Sequence, residues 1–267
     1  MRSRLLVLLL LALPAAANAA PEADLVDIPG GLLHQGDPTG EPDEAPRDVK
    51  VAAFRMMRHE VTNADFARFA DASGHVTDPE RKGWGWVWTD RWRKVEGADW
   101  RHPAGPESVI EGLAEHPVVQ VSQRDAAAFC AFHGLRLPGD AEWEYAARGT
   151  DRRRYPWGDE APEQAGRRRA NFGTVKCCAP DDSDGYAKTA PVDRYPAGAS
   201  PFGLLDMAGN VWEWTADEHP AEPGEFAIRG GGWGNNPYCL RVSYRHANPP
   251  DFGLDMVGFR CAGDEGR

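Results

Sequence analysis

Beyond its first twenty residues the chain has no long hydrophobic run, and that first run, within MRSRLLVLLLLALPAAANAA, is too short to span a bilayer. Arg2 and Arg4, the leucines and the closing Ala-Asn-Ala follow the charged, apolar and small-residue order of a secretory signal peptide over residues 1–20. No cysteine follows the cleavage region to carry a lipid, so stable membrane insertion after cleavage is not expected, and the protein reads as exported, periplasmic or secreted. Basic charge is also scarce. Lys and Arg number 30 against 41 Asp and Glu, a net charge of −11, and loss of Arg2 and Arg4 deepens the imbalance. That excludes nucleic acid as an expected partner and disfavours an anionic membrane surface. No Gly/Ser linker, repeat or low-complexity tract divides the remainder, so residues 24–264 read as one domain.

What the chain does have is 29 glycines, 22 prolines and 10 tryptophans, a composition for a loop-rich fold pinned by large aromatic side chains instead of long regular elements. Five cysteines in an exported chain imply disulfides, and the odd count leaves one thiol unpaired or bonded to another molecule. The adjacent Cys177 and Cys178 in TVKCCAP are open to three fates: a vicinal disulfide, separate pairings, or a soft-metal site.

Residues 24–36, DLVDIPGGLLHQG, predict a short hairpin about Pro29-Gly30-Gly31, and VKVAAFRMMRHEV, after an acidic turn, predicts a second strand pair. Thr62 is placed to cap a helix over TNADFARFADASG with Phe66, Phe69 and Ala70 on one face and Gly74 as its stop. The tryptophans of residues 80–105 show no helical period and predict an irregular loop, whose rings either anchor the core or face a ligand. His116–Val121 reads as a strand. Ser122 opens a second helix, SQRDAAAFCAFHG, with Asp125 as a short capping-box partner and Gly134 as its stop. A third helix lies within LRLPGDAEWEYAARG, with Asp140, Glu142 and Glu144 near its positive end and Trp143 and Ala147 on a shared face.

The segment RGGGWGNNPYCLRVSYRHANPPDFGLDMVGFRCA, from Arg229 to Ala262, resembles the C-terminal signature of the formylglycine-generating enzyme (sulfatase-modifying factor) family, roughly R-G-G-S-W-x-C-x-x-x-Y-C and then G-F-R. Arg229, Gly230, Gly231, Trp233, Tyr238, Cys239, Gly258, Phe259 and Arg260 match. RLPGDAEWEYAARG, PWGDE, DGY, APVDRYP and FGLLDMAGNVWEWTAD extend the likeness over nearly the whole chain. The resemblance implies an irregular, loop-rich α+β fold of few short helices and strands, related to C-type lectins. It also implies a disulfide between Cys130 and Cys261, whose loop of about 130 residues would contribute about 5 kcal/mol in the chain-entropy picture. The positions of a second family bridge are Ala147 and Tyr244, so that bridge has no counterpart. Two structural calcium sites are implied, one from side chains of Asn171 and Asp184 with carbonyls of Phe172 and Tyr186, the other from Asp206 and Glu213 with carbonyls of Gly209 and Val211.

The family reaction implied is that of an oxidoreductase in which two thiolates hold Cu(I) and a substrate cysteine becomes formylglycine. This chain departs from that pattern. Gly232 stands at the hydroxyl position, Gly234 or Asn235 stands where the first thiol should be, and the spacing is one residue shorter. Cys239 alone remains as the catalytic or copper-binding candidate, with a small buried hydrophobe as its other reading. Trp212 and Trp233 are expected to frame the cleft, and Arg241, Arg245, His246, Asn235, Asn236 and Tyr238 to contact a substrate. Three functions stay open: an oxidase-like enzyme acting on a peptide or small molecule by a route other than the two-thiol one; a binding module presenting Asn235, Asn236, Tyr238, Tyr244, His246 and Asn248; and an accessory protein for a partner such as an exported sulfatase.

Overall fold

The computed structural model describes residues 25–266, so the expected signal peptide at 1–20 lies outside the described residues. Strands β1 (Leu25–Ile28), β2 (Gly31–Gln35), β3 (Arg47–Val51) and β4 (Phe54–Met57) open the chain. The two local hairpins expected there do not form. Instead β1 pairs with β4 and β2 with β3 in one unbroken antiparallel register, from Leu25 opposite Met57 to Gln35 opposite Arg47. The kink at Pro29-Gly30 that suggests a turn is a bend in a long ribbon. A Cβ on Gly30 would lie 2.9 Å from the Ala53 nitrogen of the facing strand, so glycine lets the two backbones pass. The acidic GEPDEAP segment is the ribbon's loop.

Helix α1 (Asn63–Ser73) starts where Thr62 accepts from the Asp65 N–H and ends at Gly74, whose φ of 68° is the left-handed geometry glycine tolerates. Phe66 and Phe69 turn inward, and Phe66 meets Trp100 edge-on at 5.2 Å and Phe259 at 6.4 Å. Helix α3 (Gln123–Phe132) repeats the device with Ser122 and Asp125 and stacks Phe129 on Phe66 at 5.9 Å. Its Cys130 is bonded to Cys261, tying the helix to strand β13 (Ala262–Asp264), which completes the β1-β4-β13 sheet. Helix α4 (Asp140–Arg148) buries Trp143, Ala146 and Ala147 against the ribbon.

Between α1 and α3 the tryptophan-rich segment is not an irregular loop. It forms a short helix α2 (Asp78–Lys82) and a hairpin of β5 (Trp84–Trp88) and β6 (Trp92–Glu96). Trp84, Trp86 and Trp88 alternate with Gly85 and Val87 at the two-residue period of a strand, the half-exposed rings on one face and the buried small residues on the other. His116–Val121, expected as a strand, runs buried without a ladder, tied through Val118 to Val61 and through Gln120 to Leu254. A minor hairpin joins β7 (Glu163–Gln164) to β8 (Arg167–Arg168). Strands β9 (Trp212–Glu218), β10 (Phe226–Arg229), β11 (Arg245–Asn248) and β12 (Val257–Gly258) make a sheet of order β11-β10-β9-β12, with β12 parallel to β9. The result is a mixed α+β fold of few short elements, as the family resemblance implies.

Candidate functional site

At one face of the β9–β12 sheet a cavity of about 550 Å³ opens. The β5–β6 hairpin supplies Trp86 and Trp92; the sheet supplies Trp212, Ile228, His246 and Asn248; residues 252–257 supply Phe252, Leu254, Met256 and Val257. Hydrogen bonds from Trp86 N–H to the Gly253 carbonyl and from Trp88 N–H to Asp255 hold the hairpin against this wall. The remaining side is sulfur-rich: Cys177, Cys178 and Cys239 line the cavity with Lys176, Asn235 and Tyr244.

Asn235 organises that side. Its Oδ1 accepts from Trp212 Nε1 and from the Gly232 N–H, both at 2.9 Å, while its Nδ2 donates to the Lys176 carbonyl at 2.7 Å. The Cys239 thiol donates to the same carbonyl at 3.3 Å. Burial pushes the Cys239 pKa up to about 11 against the opposing pull of the Lys176 charge, so the thiol is protonated at neutral pH. Tyr244 is pushed to about 12, by burial and then by Cys239. His246 faces the cavity with its ring 5.9 Å from that of Trp212, and desolvation by the walls, with the charges of His219 and Lys176, lowers its pKa.

The space of the missing side chains is filled. A Cβ on Gly232 would come within 2.5 Å of Met256 Cγ, and one on Gly234 within 2.9 Å of Met256 Cε and 3.1 Å of Cys178 Cβ. Cys177 and Cys178 form a vicinal disulfide, one of the three fates open to them. Cys239 is the free cysteine among the described residues and is buried.

Several expected ligand contacts lie elsewhere. Arg241 and Arg245, expected to contact a substrate, are placed elsewhere: Arg241 is buried and forks onto Glu44 at 2.8 and 2.9 Å, and Arg245 is buried against Asp140 at 3.1 Å, so both guanidinium groups are committed to carboxylates and neither lines the cavity. Trp233 is buried behind the wall with Nε1 on the Asp255 carbonyl. Tyr238 sits outside the cavity on Glu41, over the Arg241 guanidinium, and Asn236 outside it too, accepting from the Tyr238 N–H. Trp212, Asn235, Cys239 and His246 do line it. Trp86 and Trp92 belong to the tryptophan-rich segment whose rings the sequence leaves open to facing a ligand, whereas no motif singles out Lys176, Phe252 or Met256; the alternation of tryptophan in WGWVW carries the strand signal for Trp86.

The residues of the two expected calcium sets lie on loops beside the sheet, except Glu213, which lies on β9. Asn171 Oδ1 is buried without a hydrogen-bond partner, which suits a cation, while Arg168 donates to the Phe172 carbonyl and stands 3.7 Å from Asp184. Tyr186 gives its N–H to Asp184. In the second set Asp206 and Glu213 are buried together with Glu60, three carboxylates around the single guanidinium of Arg260, and burial first and neighbouring acids next raise Glu60 well above the usual range. Among the described residues no three His, Cys, Asp or Glu side chains are grouped to hold a metal, so carbonyls such as those of Gly209 and Val211 would have to complete either set.

Residues 11–265 match the sulfatase-modifying factor enzyme 1-like domain. The chain is 39% identical to a formylglycine-generating enzyme of Thermomonospora curvata, covering 90% of this chain and 93% of the relative. It is 37% identical to the inactive C-alpha-formylglycine-generating enzyme 2 of Bos taurus, covering 91% and 89%. The solved structure of PvdO from Pseudomonas aeruginosa superposes with a TM-score of 0.70 at 28% identity, over 90% of this chain and 94% of that one. The chain therefore belongs to the sulfatase-modifying factor, or formylglycine-generating enzyme, family.

Proposed function

We propose that this family member holds a peptide or small-molecule ligand in its aromatic cleft and does not generate formylglycine by a two-thiol copper route. Relatives named as formylglycine-generating and as inactive stand at nearly equal identity, so overall similarity does not sort the chain between them. The site does. The observation that carries the reading is the commitment of Asn235 to Trp212, Gly232 and Lys176 at the place of the first thiol, with Met256 and Cys178 packed against Gly234. A linear two-sulfur Cu(I) site needs two thiolates. Cys239 is a single protonated thiol beside an amide, so the donor set does not fit copper.

The walls suit an apolar or aromatic group. Trp86, Trp92, Trp212, Tyr244 and Phe252 offer large rigid surfaces, with His246, Asn248 and Lys176 as polar contacts. Structural calcium and export belong to the same reading, the first resting on the orphaned Asn171 Oδ1 and the carboxylate excess around Arg260, the second on the order of residues in 1–20. An oxidase-like reading by a different route keeps one observation in its favour, the three cysteines on the cavity wall.

The purified protein is to be incubated with Cu(I), oxygen and a Cys-x-Pro-x-Arg peptide, following tryptophan fluorescence and peptide mass. Binding without formylglycine formation is expected, with Trp92→Ala weakening binding about fivefold or more, the effect of losing roughly 1 kcal/mol at a buried aromatic contact. Turnover that disappears in Cys239→Ala would overturn the proposal.

A further inference from the structure

The vicinal disulfide sits where chemistry is possible and structural need is small. Cys177 is exposed and Cys178 buried, and both line the aromatic cavity. The loop that carries them is held on residues 234–236 by other means: Gly173 N–H to the Asn235 carbonyl, Ala179 N–H to that of Gly234, Asn236 N–H to that of Val175, and Asn235 Nδ2 to that of Lys176. These bonds keep the loop in place whether or not the sulfurs are joined. A bond between neighbours closes almost no chain, so it constrains the unfolded state little, in contrast to the 131-residue separation of Cys130 and Cys261. Gly234 admits the pair to the wall, since a Cβ there would press on Cys178 at 3.1 Å.

We propose that the Cys177–Cys178 disulfide is a thiol-exchange site that oxidises a cysteine-bearing peptide admitted to the cleft. The thiolate of the peptide bonds to the exposed Cys177 Sγ as the Cys177–Cys178 bond breaks, and Cys178 leaves as a thiolate that takes up the proton the incoming thiol released. A second peptide thiol attacks the peptide sulfur of this mixed disulfide, displacing Cys177. Two peptide thiols lose two electrons and become a disulfide, and the protein disulfide gains them and becomes two thiols. One turnover needs no other oxidant; repeated turnover needs an external small-molecule disulfide such as oxidised glutathione. Attack falls on Cys177 because it is exposed while Cys178 is buried.

The proposal rests on the reading of the cleft as a binding site, and the test separates the two. The full chain is mixed anaerobically with Phe-Cys-Phe amide, with glutathione, or with thiol-free Phe-Ser-Phe amide, quenched with acid and mapped by differential alkylation and mass spectrometry. Expected are one peptide disulfide per protein, new thiols at 177 and 178, an intact Cys130–Cys261 bond, and a rate at least tenfold above that with glutathione. Trp92→Ala should shrink that advantage, and the Cys177→Ala, Cys178→Ala double variant, shown folded by its thermal transition, should form no peptide disulfide. Fluorescence binding of the Phe-Ser-Phe probe with no reduction of 177–178 overturns the exchange and spares the cleft; absence of both overturns both. Equal rates for the two thiols, or peptide disulfide formation by the double variant, also overturn it.

Discussion

At the scale of single residues, the departures from the family motif compensate one another in space. Gly232 leaves room that Met256 enters, Gly234 leaves room for Met256 and Cys178, and beside them Asn235 is an amide that serves three hydrogen bonds. Restoring only the hydroxyl therefore fails. Gly232→Ser should destabilise the fold by about 1–3 kcal/mol, because the new Cβ meets Met256 Cγ at 2.5 Å with Trp212 Cδ1 behind it at 3.3 Å. Adding Met256→Ala should recover part of the loss, and urea denaturation of the two variants measures both effects. The sequence disclosed that a thiol and a hydroxyl were gone. It did not disclose what fills their places, since Met256 reaches Gly232 only through the parallel pairing of β12 with β9, a contact no local pattern encodes. For the same reason Arg241 and Arg245 looked like ligand contacts: beside the cleft motif in sequence, they point to Glu44 and Asp140, far away in the chain.

At the scale of elements, those arginines belong to a buried ionic seam joining the ribbon loop, α4 and the β10–β11 pair. Arg229 Nε reaches Asp140 at 2.5 Å, its Nη2 reaches Glu144 at 2.7 Å, and its Nη1 covers the carbonyls of Val242, Ser243 and Tyr244. Burial alone would raise Asp140, but Arg229 and Arg245 hold it down to about 2. A depressed carboxyl stabilises the fold above its unfolded pKa near 4, and that stability is lost as pH falls from about 4 towards 2. Arg229→Met should push the sign the other way. With its main partner gone and Arg245 left alone against the burial, the folded pKa of Asp140 rises, and where it passes the unfolded value stability falls as pH rises through the interval between them, a reversal that Arg229→Met combined with Arg245→Met makes complete. The single variant should lose about 3–5 kcal/mol at pH 7, the cost of leaving one side of a buried pair. Urea midpoints across pH 3–7 check magnitude and slope together. Helices α1 and α3 were legible because Thr62, Ser122 and Gly74 signal caps locally, whereas the long register of β1–β2 against β3–β4 was not, because a Pro-Gly-Gly bend looks the same as a turn until the facing strand is known.

At the scale of the whole molecule, acid outweighs base both on average and at particular buried points. The chain carries a net charge of −11, and Glu60, Asp206 and Glu213 share Arg260 in the interior while Asn171 Oδ1 is left without a donor. Apart from Glu213 on β9, these points lie on loops that must keep the few regular elements in register, so a cation held there would act on global stability. Calcium suits them better than magnesium, because it accepts irregular sets of carboxylate, amide and carbonyl oxygens where magnesium demands a near-octahedral one. Calcium at about 100 times its dissociation constant should stabilise the fold by about 2.7 kcal/mol, a rise of about 5–10 °C in the thermal midpoint of a domain this size. Chelation should reverse the rise, and Asn171→Ala should diminish it. Simple screening of an acidic surface would raise the midpoint equally with sodium chloride at matched ionic strength. Differential scanning calorimetry with calcium, magnesium and sodium therefore decides the matter: a midpoint that follows ionic strength alone, or does not move with calcium, removes the cation from this fold.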